Sequence, residues 1–250
     1  MLKFDRTFYM RIEVWSDVIC PFCYIGKAEL TKALATFAHA DEVDVVYRSF
    51  ELDPQAPRTG QDPVASLADK YGMSREQVAA NNDQVAARAG SVGLAFDWAA
   101  SKPTNTFDAH RIVKLAETEN KSTEVVDALM KAYFAEGELV SDHEVLVRIA
   151  TDAGLDEARV RQVLDGIEFA EDVHTDEQEA AAYGATAVPF FLFDGQWAVT
   201  GAQPADMLGQ ALDQVWSETH KPRFITLGAE FDNAGGGCGC GGGSCGCGAH

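Results

Sequence analysis

The 250-residue chain contains no apolar run approaching the roughly 20 residues needed to span a bilayer. Its first ten residues, Met1 to Met10, break up their apolar positions with Lys3, Asp5 and Arg6 and have no small-residue cleavage site, so they do not read as a signal peptide. They read as a short leader arm ahead of a structural start at Met10. Positive charge is scarce: 20 Lys and Arg stand against 39 Asp and Glu, a net charge of −19. That balance argues against nucleic acid and anionic membrane surfaces as partners, because both are bound through cations. Cysteine is absent between Cys23 and Cys238. Without an export signal the six cysteines are expected in a reducing cytoplasm, where catalysis or metal binding is commoner than structural bridging. What remains is ordinary for a globular protein: 46% hydrophobic and 24% charged residues, enough for one large domain or two small ones.

The two early cysteines stand in Asp17-Val18-Ile19-Cys20-Pro21-Phe22-Cys23-Tyr24-Ile25-Gly26-Lys27. The alternating run Arg11-Ile12-Glu13-Val14-Trp15 precedes them, and Leu30, Leu34 and Phe37 follow at helical spacing. A C-x-x-C pair at a strand-to-helix junction is the arrangement of a thioredoxin-like redox couple. Backbone N–H groups at a helix start lack intrahelical partners and present partial positive charge, which stabilises a thiolate there. Cys20 is therefore the expected nucleophile and Cys23, one turn on, the resolving thiol. Pro21 fits the first helical turn, where it loses no hydrogen bond. Half of a zinc site is the competing reading, but its second ligand pair would have to come from the distant tail.

Val43 to Phe50 is β-branched and aromatic, a second strand, so strand, helix and strand form a βαβ unit with parallel neighbours. From about Asp62 to Gly184 the pattern is helical throughout. Asp62-Pro63 opens one helix and Gly72 closes it, and Ser74-Arg75-Glu76-Gln77 is a capping box for a second ending near Gly90. Asn105 is placed to cap a helix running through Ala116, with Leu129 and Tyr133 on the next. Ser141-Asp142-His143-Glu144 reads as another capping box, Val160, Val163 and Leu164 mark a further helix, and a last one spans Phe169 to Tyr183. Sheet character returns at Val188-Pro189-Phe190-Phe191-Leu192-Phe193, where Asp194-Gly195 signals a tight hairpin into Trp197-Ala198-Val199-Thr200. Gln203-Pro204 then opens a final helix carrying Leu208, Leu212, Val215 and Trp216. The expected fold is α/β: a thioredoxin-like first part over 10–61, an all-helical insertion over 62–184 with enough residues for its own small core, and a second thioredoxin-like part over 185–225. Residues 226–250 form a glycine-rich tail expected to be flexible, with two C-x-C pairs, Cys238/Cys240 and Cys245/Cys247. Those four thiols are candidates for a zinc or copper(I) site or for a second redox couple.

Several motifs in order carry a resemblance: Trp15-Ser16-Asp17 and Cys23-Tyr24-Ile25-Gly26-Lys27 around the pair, Phe50-Glu51-Leu52-Asp53-Pro54, Asn105-Thr106-Phe107-Asp108-Ala109-His110-Arg111, and Val188-Pro189-Phe190-Phe191 with Gly201-Ala202-Gln203-Pro204. Over about Arg11 to Trp216 the chain resembles the DsbA-like thioredoxin-fold proteins, in particular their cytoplasmic FrnE-type branch. The resemblance implies a thiol–disulfide oxidoreductase or isomerase acting on protein or small thiols, glutathione among them, with no required cofactor. It also implies a helical domain over the active site that helps form a substrate groove. Val188-Pro189 would be the cis-peptide loop facing the cysteines; taken alone, Pro189 reads as a strand-start proline. Two families that share the fold, the 2-hydroxychromene-2-carboxylate isomerases and the kappa-class glutathione transferases, resemble this chain but carry serine at the position of Cys20. Having both Cys20 and Cys23 places the chain on the disulfide-exchange side. Phe22 stands where the best-known DsbA pattern has histidine and supplies no charge, so a milder oxidant, a reductase or an isomerase is expected.

Pro21, Phe22, Val188 and His110 are thus candidates for binding substrate or tuning the pair. On its expected helix His110 shares a face with Phe107 and Lys114, opposite Ile112, Leu115 and Ala116, which argues against a core histidine and leaves a solvated residue or one lining the cleft. Phe190, Phe191 and Phe193 read as sheet core, while Trp15 and Tyr24 suit either groove or packing. The alternative function is a metal-responsive binding protein that uses the tail cysteines, and a glutathione-dependent isomerase or transferase is the third.

Overall fold

The computed structural model describes residues 10–220; the N-terminal arm and the tail cysteines Cys238, Cys240, Cys245 and Cys247 lie outside the described residues. Strand β1 (Met10–Ser16) runs parallel to β2 (Val43–Ser49), with Ile12 opposite Val45 and Val14 opposite Tyr47. Helix α1 (Pro21–Thr36) and a 3₁₀ turn (Ala40–Glu42) form the crossover between them. Strand β3 (Phe190–Phe193) lies antiparallel on the other side of β1, and β4 (Trp197–Thr200) antiparallel to β3, giving the order β2-β1-β3-β4. The β3–β4 hairpin turns at Asp194 and Gly195, whose φ angles of 48° and 66° are the left-handed values the Asp-Gly pair tolerates. All four residues of β3 are buried, so this strand shows no polar alternation and is covered on both faces. Helix α9 (Ala205–Thr219) packs along α1, with Trp216 edge-on to Phe37 at 5.8 Å.

Between β2 and β3 the chain is helical among the described residues: α2 (Pro63–Tyr71), α3 (Arg75–Ser91), α4 (Phe107–Thr118), α5 (Ser122–Phe134), α6 (His143–Asp152), α7 (Glu157–Asp165) and α8 (Ala170–Ala182). Local chemistry explains many of the boundaries. The Asp62 carboxylate accepts the N–H groups of Val64 and Ala65 at 2.9 and 2.7 Å, and Gly72 ends α2 at a φ of 63°. Ser74 and Gln77 close the predicted capping box, with bonds of 3.2 and 2.9 Å. Two expectations change. Asp142, not Ser141, caps α6, because the Ser141 hydroxyl is taken by the Arg58 carbonyl at 2.6 Å and by Thr104. Asn105 sits one residue before the cap position of α4, Thr106, yet its side chain still accepts the Phe107 N–H at 3.1 Å.

Helix α4 is the centre of this half. Arg111 donates from it to the carbonyls of Glu168 and Gly166, both at 2.8 Å, and to that of Val163, binding α4 to the turn between α7 and α8. Lys114 meets Asp176 of α8 at 2.5 Å, and Asp176 also accepts the Ser49 N–H at 2.7 Å, so α8 is fastened to the end of β2. The buried apolar side chains of sheet and helices form one continuous cluster, from Ile12 and Phe191 to Ile112, Leu129 and Val163. The architecture is the expected α/β one, a four-stranded thioredoxin-type sheet interrupted by a large helical insertion.

Candidate active site

The thiol pair sits where β1 hands over to α1. Cys20 occupies the cap position in extended conformation (φ −84°, ψ 115°), with Pro21 in the first turn behind it. Its sulfur accepts the Cys23 N–H at 3.4 Å, one of the amides a helix start leaves unpaired. Both cysteines are free and buried, at 3% and 1% exposure. Burial pushes the Cys23 thiol well above its ordinary value, and the neighbouring Cys20 adds to this, while the Asp17 N–H and the Ser16 hydroxyl oppose it. Cys23 is therefore a protonated thiol at neutral pH.

Facing Cys20 is the segment that enters β3. The Val188–Pro189 peptide is cis, and the Val188 carbonyl accepts the Cys20 thiol at 3.8 Å. The pairing of Trp15 with Phe190 brings this segment to the end of β1, and the Pro189 carbonyl is fastened by the Gly201 N–H at 2.8 Å. Gly26 makes the close approach from α1 possible. A Cβ there would lie 2.8 Å from Cγ of Pro189 and 3.4 Å from the Phe191 ring.

A groove of about 880 Å³ opens beside Cys20. Its walls are largely apolar: Phe22, Leu67 of α2, Val85 of α3, Phe96, Phe134 and Val188. Phe22, Leu52 and Tyr71 stand exposed on this lining, at 42%, 38% and 62%. Phe22 brings no charge of its own, but Arg88 of α3 places its guanidinium 5.9 Å from the centre of the Phe22 ring and donates to the Ala202 carbonyl. Sequence reasoning missed Arg88, because nothing in its neighbourhood in α3 distinguishes it from other surface cations; only the fold brings it to the CPFC turn.

The expectation for His110 needs correction. It is neither solvated nor on the groove wall but 3% exposed, with Nε2 3.5 Å from Oδ1 of Asp17 and no hydrogen-bond partner. The helical-wheel argument failed because α4 is buried on nearly all sides, its polar face against other polar groups. Burial alone would make His110 neutral; the carboxylates of Asp17, Glu51 and Glu177 outweigh it and raise its pKa above the usual histidine value. Trp15 and Tyr24 also lie off the groove. Trp15 donates to the Asp176 carbonyl at 2.7 Å, and Tyr24 stacks on Phe134 at 5.0 Å. Phe190, Phe191 and Phe193 are core, as their pattern predicts. Among the described residues no cluster of three or more His, Cys, Asp or Glu side chains is arranged to hold a metal ion, and no helix is long and apolar enough to cross a membrane.

Known proteins share this fold. The solved structure of a "probable DsbA oxidoreductase", SCO1869 of Streptomyces coelicolor, is 45% identical and superposes with a TM-score of 0.81, covering 86% of this chain and 94% of its own. The uncharacterized protein YwbO of Bacillus subtilis is 28% identical over 206 residues, 81% of this chain and 96% of its own. The cytosolic disulfide reductase DsbM of Pseudomonas aeruginosa, solved with GSH, has the same fold at 18% identity and a TM-score of 0.54, over 84% of this chain and 98% of its own. Residues 11–213 match the family model of the DSBA-like thioredoxin domain, and the chain belongs to that family of thiol–disulfide oxidoreductases.

Proposed function

We propose that this chain exchanges disulfides with protein or small-molecule thiols through Cys20 and Cys23, as a cytoplasmic enzyme of the FrnE-type branch. The observation that carries the reading is the meeting of three things at one sulfur: Cys20 at a helix start, the Val188 carbonyl 3.8 Å away beside a cis-proline, and the mouth of an apolar groove. In the reductive direction the Cys20 thiolate attacks a substrate disulfide, a mixed disulfide forms, and the first substrate sulfur leaves and takes up a proton. Cys23 then gives up its proton and attacks Cys20, releasing the second substrate sulfur as a thiol. Two electrons pass from the pair to the substrate, and the two cysteine protons end on the two product thiols. The oxidative direction is the reverse.

The parts have matching roles. Charge left on Cys20 when Cys23 or a substrate departs meets the Cys23 amide. Pro21 holds the turn, and Pro189 with Val188 presents a backbone edge along which a substrate joined to Cys20 lies. Phe22, with Leu67, Val85 and Phe96, offers an apolar bed that suits an extended polypeptide rich in apolar side chains. Arg88 and Lys70 on the same walls suit a carboxylate-bearing thiol such as glutathione, the ligand named with DsbM.

The test is the equilibrium constant of the Cys20–Cys23 pair against glutathione, in a chain whose Cys238, Cys240, Cys245 and Cys247 are replaced by serine. A potential near about −270 mV assigns a reductase, and one between about −180 and −120 mV an oxidant or isomerase. Absence of a reversible couple overturns the reading in favour of the metal-binding alternative.

A further inference from the structure

Asp17 stands between the thiols and a cluster of titratable groups, buried at His110 and Glu51 and more open at Glu177 and His174, that do not line the groove. It is wholly buried, and its carboxylate accepts the Leu52 N–H at 2.8 Å and approaches the Ile19 N–H at 3.4 Å. His110 of α4 faces it at 3.5 Å. Glu51, just past β2, is 8% exposed, accepts Nδ2 of Asn105 at 3.2 Å and donates its own N–H to Glu177 of α8 at 3.2 Å. His174, also on α8, lies 3.6 Å from Glu177. Of these carboxylates Asp17 contacts His110, and Glu51 and Glu177 add their negative charge to its surroundings. Lys114, one turn along α4, is engaged by Asp176 and Glu117 instead.

A buried carboxylate without a compensating cation is costly, and among the described ion pairs of Asp17 the partner is His110. The buried Nε2 of His110 has no hydrogen-bond partner among the described residues, so its polar contact is the ion pair with Asp17. The main chain of Asp17 in turn reaches both sulfurs' residues. Its carbonyl accepts the Cys20 N–H at 3.1 Å, and its N–H faces the Cys23 thiol. A change of charge on His110 is thus one residue away from each cysteine.

We propose that His110 is a positioning residue for the thiol pair: its imidazolium holds Asp17, and Asp17 holds the Cys20–Cys23 turn, so that exchange depends on a proton carried by a histidine that no substrate touches. The proposal rests on the exchange reading above. The ordering of charges agrees with it. The three carboxylates hold His110 protonated above its usual range, and Glu51 is pushed up to about 6, by burial first and then by Glu177 and Asp17, with His110 opposing. Raising the pH through the titration of His110 leaves Asp17 buried without its cation, and the turn loosens.

The experiment follows oxidation of the reduced full chain by oxidised glutathione from about pH 5 to about pH 9, with the Cys20–Cys23 disulfide read by peptide mass spectrometry after acid quench. The wild type is expected to show an alkaline limb on which the rate falls although thiolate increases. H110Q is expected to lose that limb and to react about tenfold more slowly near neutrality, the worth of one charge-assisted contact. Adding E51Q to H110Q, which removes one of the facing carboxylates, is expected to restore at least about threefold, a coupling that a packing role would not produce. An H110Q rate and pH profile equal to wild type overturns the proposal. If H110Q does not fold, E51Q alone decides: with fewer carboxylates around His110 the limb moves to lower pH, and an unmoved limb overturns the proposal. A wild type that forms no Cys20–Cys23 disulfide at any pH instead overturns the exchange reading itself.

Discussion

Helix α4 buries nine of its twelve residues, and helix α2 buries none of its nine. Both are well-formed helices with recognisable starts, yet they are held in different ways. Helix α2 is kept by its ends, through Asp62, Pro63 and Gly72, while α4 is kept by its sides, through Arg111, Lys114 and a continuous apolar contact. The two occupy opposite roles at the site. Leu67 of α2, with Val85 and Arg88 of α3, walls the groove; α4 supports the turn that carries the thiols. On the proposed function, the part of the molecule that meets substrate is lightly packed and the part that supports the chemistry is dense.

The comparison breaks first if the chemistry does not reside on the dense side. C20S is expected to abolish exchange and C23S to accumulate mixed disulfides with substrate, both seen by non-reducing mass spectrometry. Next comes stability. I112A in α4 removes a fully buried side chain and is expected to cost about 2–5 kcal/mol, whereas L67A in α2 costs under about 1 kcal/mol and instead weakens binding of an apolar disulfide peptide. Urea denaturation of both variants decides this, and equal losses would erase the distinction. The same substitution at two glycines gives opposite signs. G26A forces a methyl group to within 2.8 Å of Pro189, an overpacking of about 1–3 kcal/mol against a helix-propensity gain of under about 1 kcal/mol. G90A in α3 meets nothing within 4 Å and is expected to stabilise by about 0.5 kcal/mol. A further effect is in acid. Glu51 titrates at about 6 in the fold against 4.5 for an ordinary glutamate, so its protonated form is favoured on folding. Its contribution is complete below pH 4.5 and is lost as pH rises to about 6. E51Q is expected to remove that decline, measured as the difference in Tm between variant and wild type across this range.

The sheet and the thiol turn were legible because their signals are local. Cys20, Pro21 and Cys23 stand within one helical turn, and Asp194-Gly195 dictates its hairpin by backbone preference alone. The caps at Asp62 and Ser74 were legible for the same reason. Ser141 was misread because a tertiary partner, the Arg58 carbonyl, claimed its hydroxyl and left the cap to Asp142. His110 and Arg88 share a deeper difficulty. Each matters only through what the fold brings to it, Asp17 and Glu177 for one, Phe22 and Ala202 for the other, and no periodicity in α4 or α3 encodes those meetings. A helix surrounded by protein, as α4 is, presents a polar face that looks solvated in sequence and is in fact paired.

Gly26 also bears on which parts of the site can be altered separately. With no side chain between α1 and Pro189, the helix that carries the thiols and the loop that faces them are in direct contact. Substitutions at Leu67 of α2 and Val85 of α3 change the groove wall and leave that contact in place, whereas Arg88, joined to Phe22 and Ala202, ties α3 to the thiol turn. On the exchange reading, a chain built this way can alter which disulfides it accepts through Leu67 and Val85, with the close contact behind the thiols left as it is.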